Sequence, residues 1–170
     1  GVAVHTARPV GELLGDDRID AVAYDADRLP VDMAVVGVGV EPNTALLDGT
    51  GVDLGPNGAV RTDDYGRTNL PGVYAAGDVA TARHAVTGAE TWVPLGLTAN
   101  RAGRAIGSTV AGDPTPVGDV AGTAVVKAFD LECGRVGLLA AAATEAGFDP
   151  VSETITAGSR SGYYPGNAET

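Results

Sequence analysis

An α/β fold is predicted by three features of this 170-residue chain. The run Val31-Asp-Met-Ala-Val-Val-Gly-Val-Gly-Val40 is too apolar for a strand with one wet face, so it reads as a buried parallel strand. Gly72-Val-Tyr-Ala-Ala-Gly77 is β-rich and then small, and reads as a second buried parallel strand with Asp78 at its C-terminal end. A helix is expected at about residues 95–111, opened by Pro94 at its first position and stopped by Gly112-Asp-Pro114. Leu97, Ala105 and Ile106 supply its apolar face; Asn100, Arg101 and Arg104 supply its polar one.

The remaining elements follow in order. Val2-Ala-Val-His-Thr6 and Ile19-Asp-Ala-Val-Ala-Tyr24 read as strands of a small meander, with Gly15-Asp-Asp17 as the turn between them and Arg28-Leu-Pro30 as a lead into the apolar run. Glu41-Pro-Asn43 ends that run, and Thr44-Ala-Leu-Leu-Asp48 makes a helical turn. Residues 49–58 hold four glycines and Pro56 and form a loop. Ala59-Val-Arg-Thr62 suggests a strand and Asp63-Asp-Tyr-Gly-Arg67 a turn. Residues 79–90 have no clear period and are expected to form a loop or broken helix near a ligand. On the helix, Gly103 and Gly107 would let another backbone or a cofactor lie close. Pro114, Pro116 and Gly118 mark a linker; a second domain is expected from near residue 120, with a strand at Thr123-Ala-Val-Val-Lys-Ala-Phe-Asp-Leu131. An alanine-rich helix then ends at Gly147, and Val151-Ser-Glu-Thr-Ile-Thr156 alternates as a strand.

A hydrophobic content of 44% suffices for a core. With 22 acidic against 11 basic residues, the charge argues against a nucleic-acid partner. The acidic residues are scattered, which suits a solvated surface and a high-salt cytoplasm where such charge is screened. No run is apolar and long enough to span a bilayer, and no charged-then-apolar leader is visible in a chain that begins at Gly1, so a cytoplasmic protein without a membrane partner is expected. Cys133 alone cannot build a disulfide framework, which fits a reducing compartment; it reads as a small buried hydrophobe inside a strand. His5 and His84 lack metal-ligand spacing, so no metal site is expected. Trp92 reads as a packing residue, with stacking near a cofactor or a partner as the alternative.

Three places carry candidate chemistry. Asp78 stands at the end of a strand, where open α/β sheets bind ligands, and a carboxylate there accepts hydrogen bonds from ribityl or ribose hydroxyls. A plain Gly-Asp turn explains Gly77-Asp78 equally well but leaves Thr68 at its spacing without a reason. Pro94-Leu-Gly-Leu-Thr98 opens a helix, whose unsatisfied N–H groups from Leu95 to Leu97 would stabilise an anionic ligand edge by roughly 1 kcal/mol; an ordinary helix start is the alternative. Tyr163 and Tyr164 lie in the glycine-flanked turn Gly162-Tyr-Tyr-Pro-Gly166, where a phenol can pack, face solvent or act as an acid.

Thr68-Asn-Leu-Pro-Gly-Val-Tyr-Ala-Ala-Gly-Asp78 resembles the second FAD-binding motif of the two-dinucleotide-domain flavoprotein reductases, T-x-x-x-x-[V/I]-[Y/F]-A-x-G-D. Three further passages accompany it: Val36-Gly-Val-Gly-Val-Glu-Pro-Asn43, Val93-Pro-Leu-Gly-Leu-Thr-Ala-Asn-Arg101 and Gly162-Tyr-Tyr-Pro-Gly166. In this order they resemble the coenzyme A-disulfide reductase, NADH oxidase and NADH peroxidase branch of the pyridine nucleotide-disulfide oxidoreductases, over essentially the whole chain. The resemblance implies that residues 1–42 end an NAD(P)H-binding domain, 43–114 form the C-terminal part of a doubly wound FAD-binding domain, and 115–170 start an α+β dimerisation domain. It implies FAD and NAD(P)H as cofactors, with Gly77, Asp78, Pro94, Leu95, Gly96 and Leu97 at the flavin. It places Gly37 and Gly39 at an interdomain position beside the nicotinamide path. It also implies a homodimer in which Tyr163 or Tyr164 of one subunit reaches the substrate and redox cysteine of the other. Electrons would pass from NAD(P)H through flavin to a cysteine-based disulfide or sulfenic acid, with coenzyme A disulfide, oxygen or a peroxide as acceptor.

Neither G-x-G-x-x-G fingerprint nor the family's redox cysteine occurs in these residues, so an internal or C-terminal portion, inactive by itself, is expected. Ser159-Arg-Ser161 stand where the family often has a histidine. Two alternatives stay open: a non-catalytic dimerisation or assembly fragment, and a flavoprotein reductase for a ferredoxin-like carrier.

Overall fold

The structure, a computed structural model, describes residues 2–158. It divides into two compact units on either side of the Val40–Glu41 bond. In the first, β1 (Glu12–Leu14), β2 (Ala21–Tyr24) and β3 (Asp27–Pro30) form an antiparallel meander in chain order. The expected turn joins β1 to β2; Gly15 there has φ +134°, and a Cβ would overlap the Arg18 carbonyl, so only glycine fits. Residues 2–6, expected as a strand, have no strand partner among the described residues, and Arg28-Leu29-Pro30 belong to the third strand instead of leading into the next.

The apolar run at 31–40 is not a strand either. The Val31 N–H donates to the Asp20 carbonyl at 3.0 Å, and there the ladder stops. Val35 and Val38 are 90% and 89% exposed. A parallel strand is buried by neighbours along its edges and layers on its faces, and apolar composition does not supply either.

The second unit is organised around Val60, which is 1% exposed. Val60 bridges Leu54 antiparallel and Ala80 parallel; its N–H donates to the Val79 carbonyl at 2.7 Å, and its own carbonyl accepts from Thr81 N–H at 2.9 Å. Asp63 closes the next turn, its Oδ1 accepting from the N–H groups of Tyr65 at 2.8 Å and Arg67 at 2.9 Å. The buried parallel strand expected at 72–77 is not formed. Gly72 has φ +76° and belongs to a turn, after which Tyr74 bridges Arg67 antiparallel and Ala75 N–H donates to the Gly66 carbonyl at 3.0 Å. Among the described residues every sheet is antiparallel, and parallel pairing is confined to the single bridges Val60–Ala80 and His84–Val120.

Helix α1 (Gly96–Val110) buries Ala102, Ala105, Ile106 and Thr109 on one face. Gly66 lies under it at φ +73°, where a Cβ would overlap Ile106 Cδ1. Leu97, expected on the apolar face, is 72% exposed, and Pro94 precedes the N-cap residue Leu95 instead of occupying the first helical position. Gly112, at φ +95°, stops the helix, its N–H donating to the Thr109 carbonyl at 3.1 Å. Thr109 Oγ1 accepts from Thr115 N–H at 3.0 Å and so anchors the chain that follows.

Within residues 79–90, expected as a loop or broken helix, Val79 ends a 3-10 turn and residues 84–89 are a loop, but this loop joins a short hairpin that was not expected, β4 (Ala82–Arg83) with β5 (Glu90–Thr91). Its strands are too short to show a period. The buried His84 shapes the connection, with Nδ1 accepting from the N–H groups of Val86 at 3.2 Å and Thr87 at 3.4 Å. Further on, β6 (Ala124–Ala128) pairs with β7 (Leu131–Arg135) across the turn at Phe129 and Asp130, and α2 (Ala140–Glu145) follows. Cys133 lies on β7 and is exposed, not buried, because the hairpin pairs edge to edge and nothing among the described residues covers its face. Residues 151–156 form no strand, having no partner among the described residues. No described helix is long and apolar enough to cross a membrane.

Candidate functional site

Val60, Thr68 and α1 together place the turn that carries Asp78. Thr68 Oγ1 donates towards the carbonyls of Val73 at 3.0 Å and Leu70 at 3.3 Å, and accepts from Leu70 N–H at 3.1 Å. The Thr68 position is therefore explained by the turn it folds, which delivers the chain to Gly77. Gly77–Val79 is a single 3-10 turn, closed by Ala80 N–H to the Gly77 carbonyl at 3.0 Å. Gly77 has φ +79°, and a Cβ there would stand 3.5 Å from Ala99 Cβ, so the turn packs on the first turns of α1. Asp78 is exposed, and its carboxylate takes part in none of the hydrogen bonds or ion pairs of the described residues.

The start of α1 is open. Leu95 is an extended N-cap with no side-chain cap, no acidic residue stands in the first turn, and a Cβ on Gly96 would meet nothing within 4 Å. The first-turn N–H groups are thus donors without a side-chain acceptor, at the positive end of the helix dipole. The structure brings the Gly77–Val79 turn and the start of α1 together, as the sequence requires if both serve one ligand. Tyr163 and Tyr164 lie outside the described residues.

A cleft of about 280 Å³ runs beside this turn, lined among others by Arg61, Ala76, Gly77, Glu90, Thr98 and Ile106. Arg61 grips Glu90 through Nε at 3.1 Å from both carboxylate oxygens and Nη2 at 3.0 Å from Oε2. The hydrogen bonds to Arg61 hold the Glu90 carboxyl below the usual carboxylate range, outweighing partial desolvation, and Glu90 in turn favours the charged guanidinium. Arg83 pairs with Asp119 at 2.8 Å, while Arg101 donates to the Asp119 carbonyl at 2.7 Å. Sequence reasoning missed both clusters and one further contact: Trp92 Nε1–H donates to the Asp78 carbonyl at 2.8 Å. No residue pattern signals a bond from an indole to a distant backbone carbonyl.

Comparison with known proteins identifies the chain. Residues 1–102 match the family model described as pyridine nucleotide-disulphide oxidoreductase. The chain belongs to the pyridine nucleotide-disulphide oxidoreductases. The chain is 39% identical over 155 residues to the NAD(P)H coenzyme A polysulfide/persulfide reductase of Pyrococcus horikoshii, covering 91% of the chain and 35% of that protein. It is 33% identical to the coenzyme A disulfide reductase of Staphylococcus aureus, over 81% of the chain and 31% of that protein. Among solved structures, the NAD-dependent persulfide reductase from A. fulgidus superposes with a TM-score of 0.88 at 32% identity, over 97% of this chain and 31% of the other. The chain thus spans about a third of the length of the curated relatives it matches, and its α/β fold is that of the family.

Proposed function

We propose that this chain supplies the flavin-facing part of an FAD-dependent NAD(P)H oxidoreductase that delivers electrons to a cysteine-based disulfide or sulfenic acid, with coenzyme A disulfide, oxygen or a peroxide as acceptor. One observation carries the reading: the Gly77–Val79 turn, with its unpartnered Asp78 carboxylate, packs against the uncapped start of α1. That donor and acceptor set fits FAD. A carboxylate suits the hydroxyls of a ribityl chain, and free helix N–H groups suit the electron-rich pyrimidine edge of an isoalloxazine. When bound, FAD supplies a two-electron carrier between nicotinamide and a sulfur or oxygen acceptor.

The chain's own residues then have distinct roles. Asp78 accepts from the ribityl hydroxyls, and Gly77 at φ +79° gives the turn a backbone conformation that a side chain would strain. Pro94 and Leu95 set the direction in which α1 begins, while the N–H groups of Gly96 and Leu97 donate to the pyrimidine edge. Residues 1–42 end the NAD(P)H-binding domain, 43–114 belong to the FAD-binding domain and 115–170 begin a dimerisation domain. In the resulting homodimer Tyr163 or Tyr164 serves the partner's substrate site, and the acidic composition suits a cytoplasm of high salt. The persulfide and disulfide named for several relatives support a sulfur acceptor, while an NADH oxidase among them keeps oxygen as the alternative. An intact protein that contains this chain is expected to purify with FAD, to lose its visible absorbance under anaerobic NADH or NADPH, and to regain it with coenzyme A disulfide. A colourless protein that takes up no added FAD overturns the proposal.

A further inference from the structure

The turn that carries Asp78 is held from three directions. Val60 N–H binds the Val79 carbonyl at 2.7 Å, Ala99 backs Gly77, and the indole of Trp92 binds the Asp78 carbonyl at 2.8 Å. The third of these differs from the others. The turn closes its own hydrogen bond on the Gly77 carbonyl, so the Asp78 carbonyl is left for an outside donor, and the indole is that donor among the described residues. Trp92 directly follows β5 and precedes Pro94 and the N-cap Leu95, so one side chain joins the segment that opens α1 to the turn that faces it. The strand before it is itself fixed, since Glu90 of β5 is gripped by Arg61 next to Val60.

We propose that Trp92 is a positioning residue for the cofactor: its indole N–H fixes the Asp78 backbone, and with it the carboxylate, relative to the N–H groups at the start of α1. This rests on the flavin reading of Asp78 given above. Trp92 need not touch the flavin; it sets the spacing between the acceptor on the turn and the donors on the helix. A ligand that engages both is sensitive to that spacing, because each hydrogen bond loses strength as distance and angle drift. Global folding is much less dependent on it, since Val60 and Ala99 still hold the turn.

Trp92 is the single tryptophan of these 170 residues, so segmental nitrogen-15 labelling of this chain within its protein gives one indole N–H resonance. In the native protein that proton is expected to exchange with solvent on the order of 100-fold more slowly than a free indole, as a hydrogen-bonded group does. Trp92→Phe, which keeps the aromatic body and removes the donor, is expected to weaken FAD binding about 3- to 10-fold, the equivalent of one neutral hydrogen bond. It should also alter the visible circular dichroism of flavin bound at saturation. Replacement by 5-fluorotryptophan, which retains the N–H, should keep both properties at native values. An indole that exchanges at the free rate overturns the proposal, and so does a Trp92→Phe protein with native affinity and dichroism. The exchange measurement needs no variant and stands if Trp92→Phe fails to fold. Asp78→Ala separates the two claims: unchanged FAD affinity there sinks the reading of Asp78, whereas unchanged affinity in Trp92→Phe alone sinks only the role of the indole.

Discussion

Val60 and Val35 are the same residue, and Val35 stands in the more apolar stretch of sequence, yet the first is 1% exposed and the second 90%. The difference is pairing. Val60 sits between Leu54 and Ala80 with its N–H and carbonyl both engaged, whereas the ladder that could have included Val35 ends at the bond from Val31 to Asp20. Burial follows where backbone partners and covering layers exist, and hydrophobicity exploits that cover without creating it.

The widest separation between the two places should come from a charge. Val60→Asp puts a carboxylate where no cation pairs with it and is expected to cost roughly 3–5 kcal/mol. Val35→Asp at an exposed site should stay within about 0.5 kcal/mol. Urea denaturation followed by circular dichroism measures both, and equal losses would break the comparison. Glycines offer the same contrast at smaller scale. Gly66→Ala forces a Cβ into Ile106 at a positive φ and should cost roughly 1–3 kcal/mol. Gly103→Ala, with nothing within 4 Å, should gain about 0.5–1 kcal/mol of helix stability. A loss at Gly103 would mean that something covers that face of α1.

The smallest effect is expected at the edge of the cleft. Because Arg61 lowers the folded-state pKa of Glu90, the pair stabilises the fold above the unfolded carboxylate pKa of about 4.3. That contribution is lost as pH falls through the lower folded-state value. Glu90→Gln should therefore be less stable than the parent at neutral pH, and the two should converge in acid. Urea midpoints from neutral to about pH 3 test this window around the reference value. A difference that widens in acid would contradict it.

Legibility from sequence followed the same division. Helix α1 was readable to within about one residue at each end because Pro94 and Gly112 flank it and Ala105 and Ile106 mark its buried face, to which the structure adds Ala102 and Thr109 in place of Leu97. The meander was readable in outline but not in its first strand, because Glu12-Leu-Leu14 is too short to show a period and only its register with β2 marks it as a strand. Strands β4 and β5 were invisible at two residues each, their hairpin being set by ring nitrogen contacts of His84. At the candidate site, Gly77 and Asp78 stood out at the end of an expected strand and residues 94–97 at a helix start, the family resemblance joined them at one flavin, and the structure adds the turn that Thr68 folds. The Trp92 bond and the Arg61–Glu90 pair span 14 and 29 residues, distances at which no local pattern operates.

In the proposed function the Gly77–Val79 turn and the start of α1 form one flavin-facing surface. It is tested most directly by titrating FAD into the apoprotein of the intact protein that contains this chain, with and without Asp78→Ala. Loss of a charged acceptor worth about 1.5–3 kcal/mol predicts binding weaker by about 10- to 150-fold, with the folded state unchanged. FAD affinity within twofold of the parent would contradict the account.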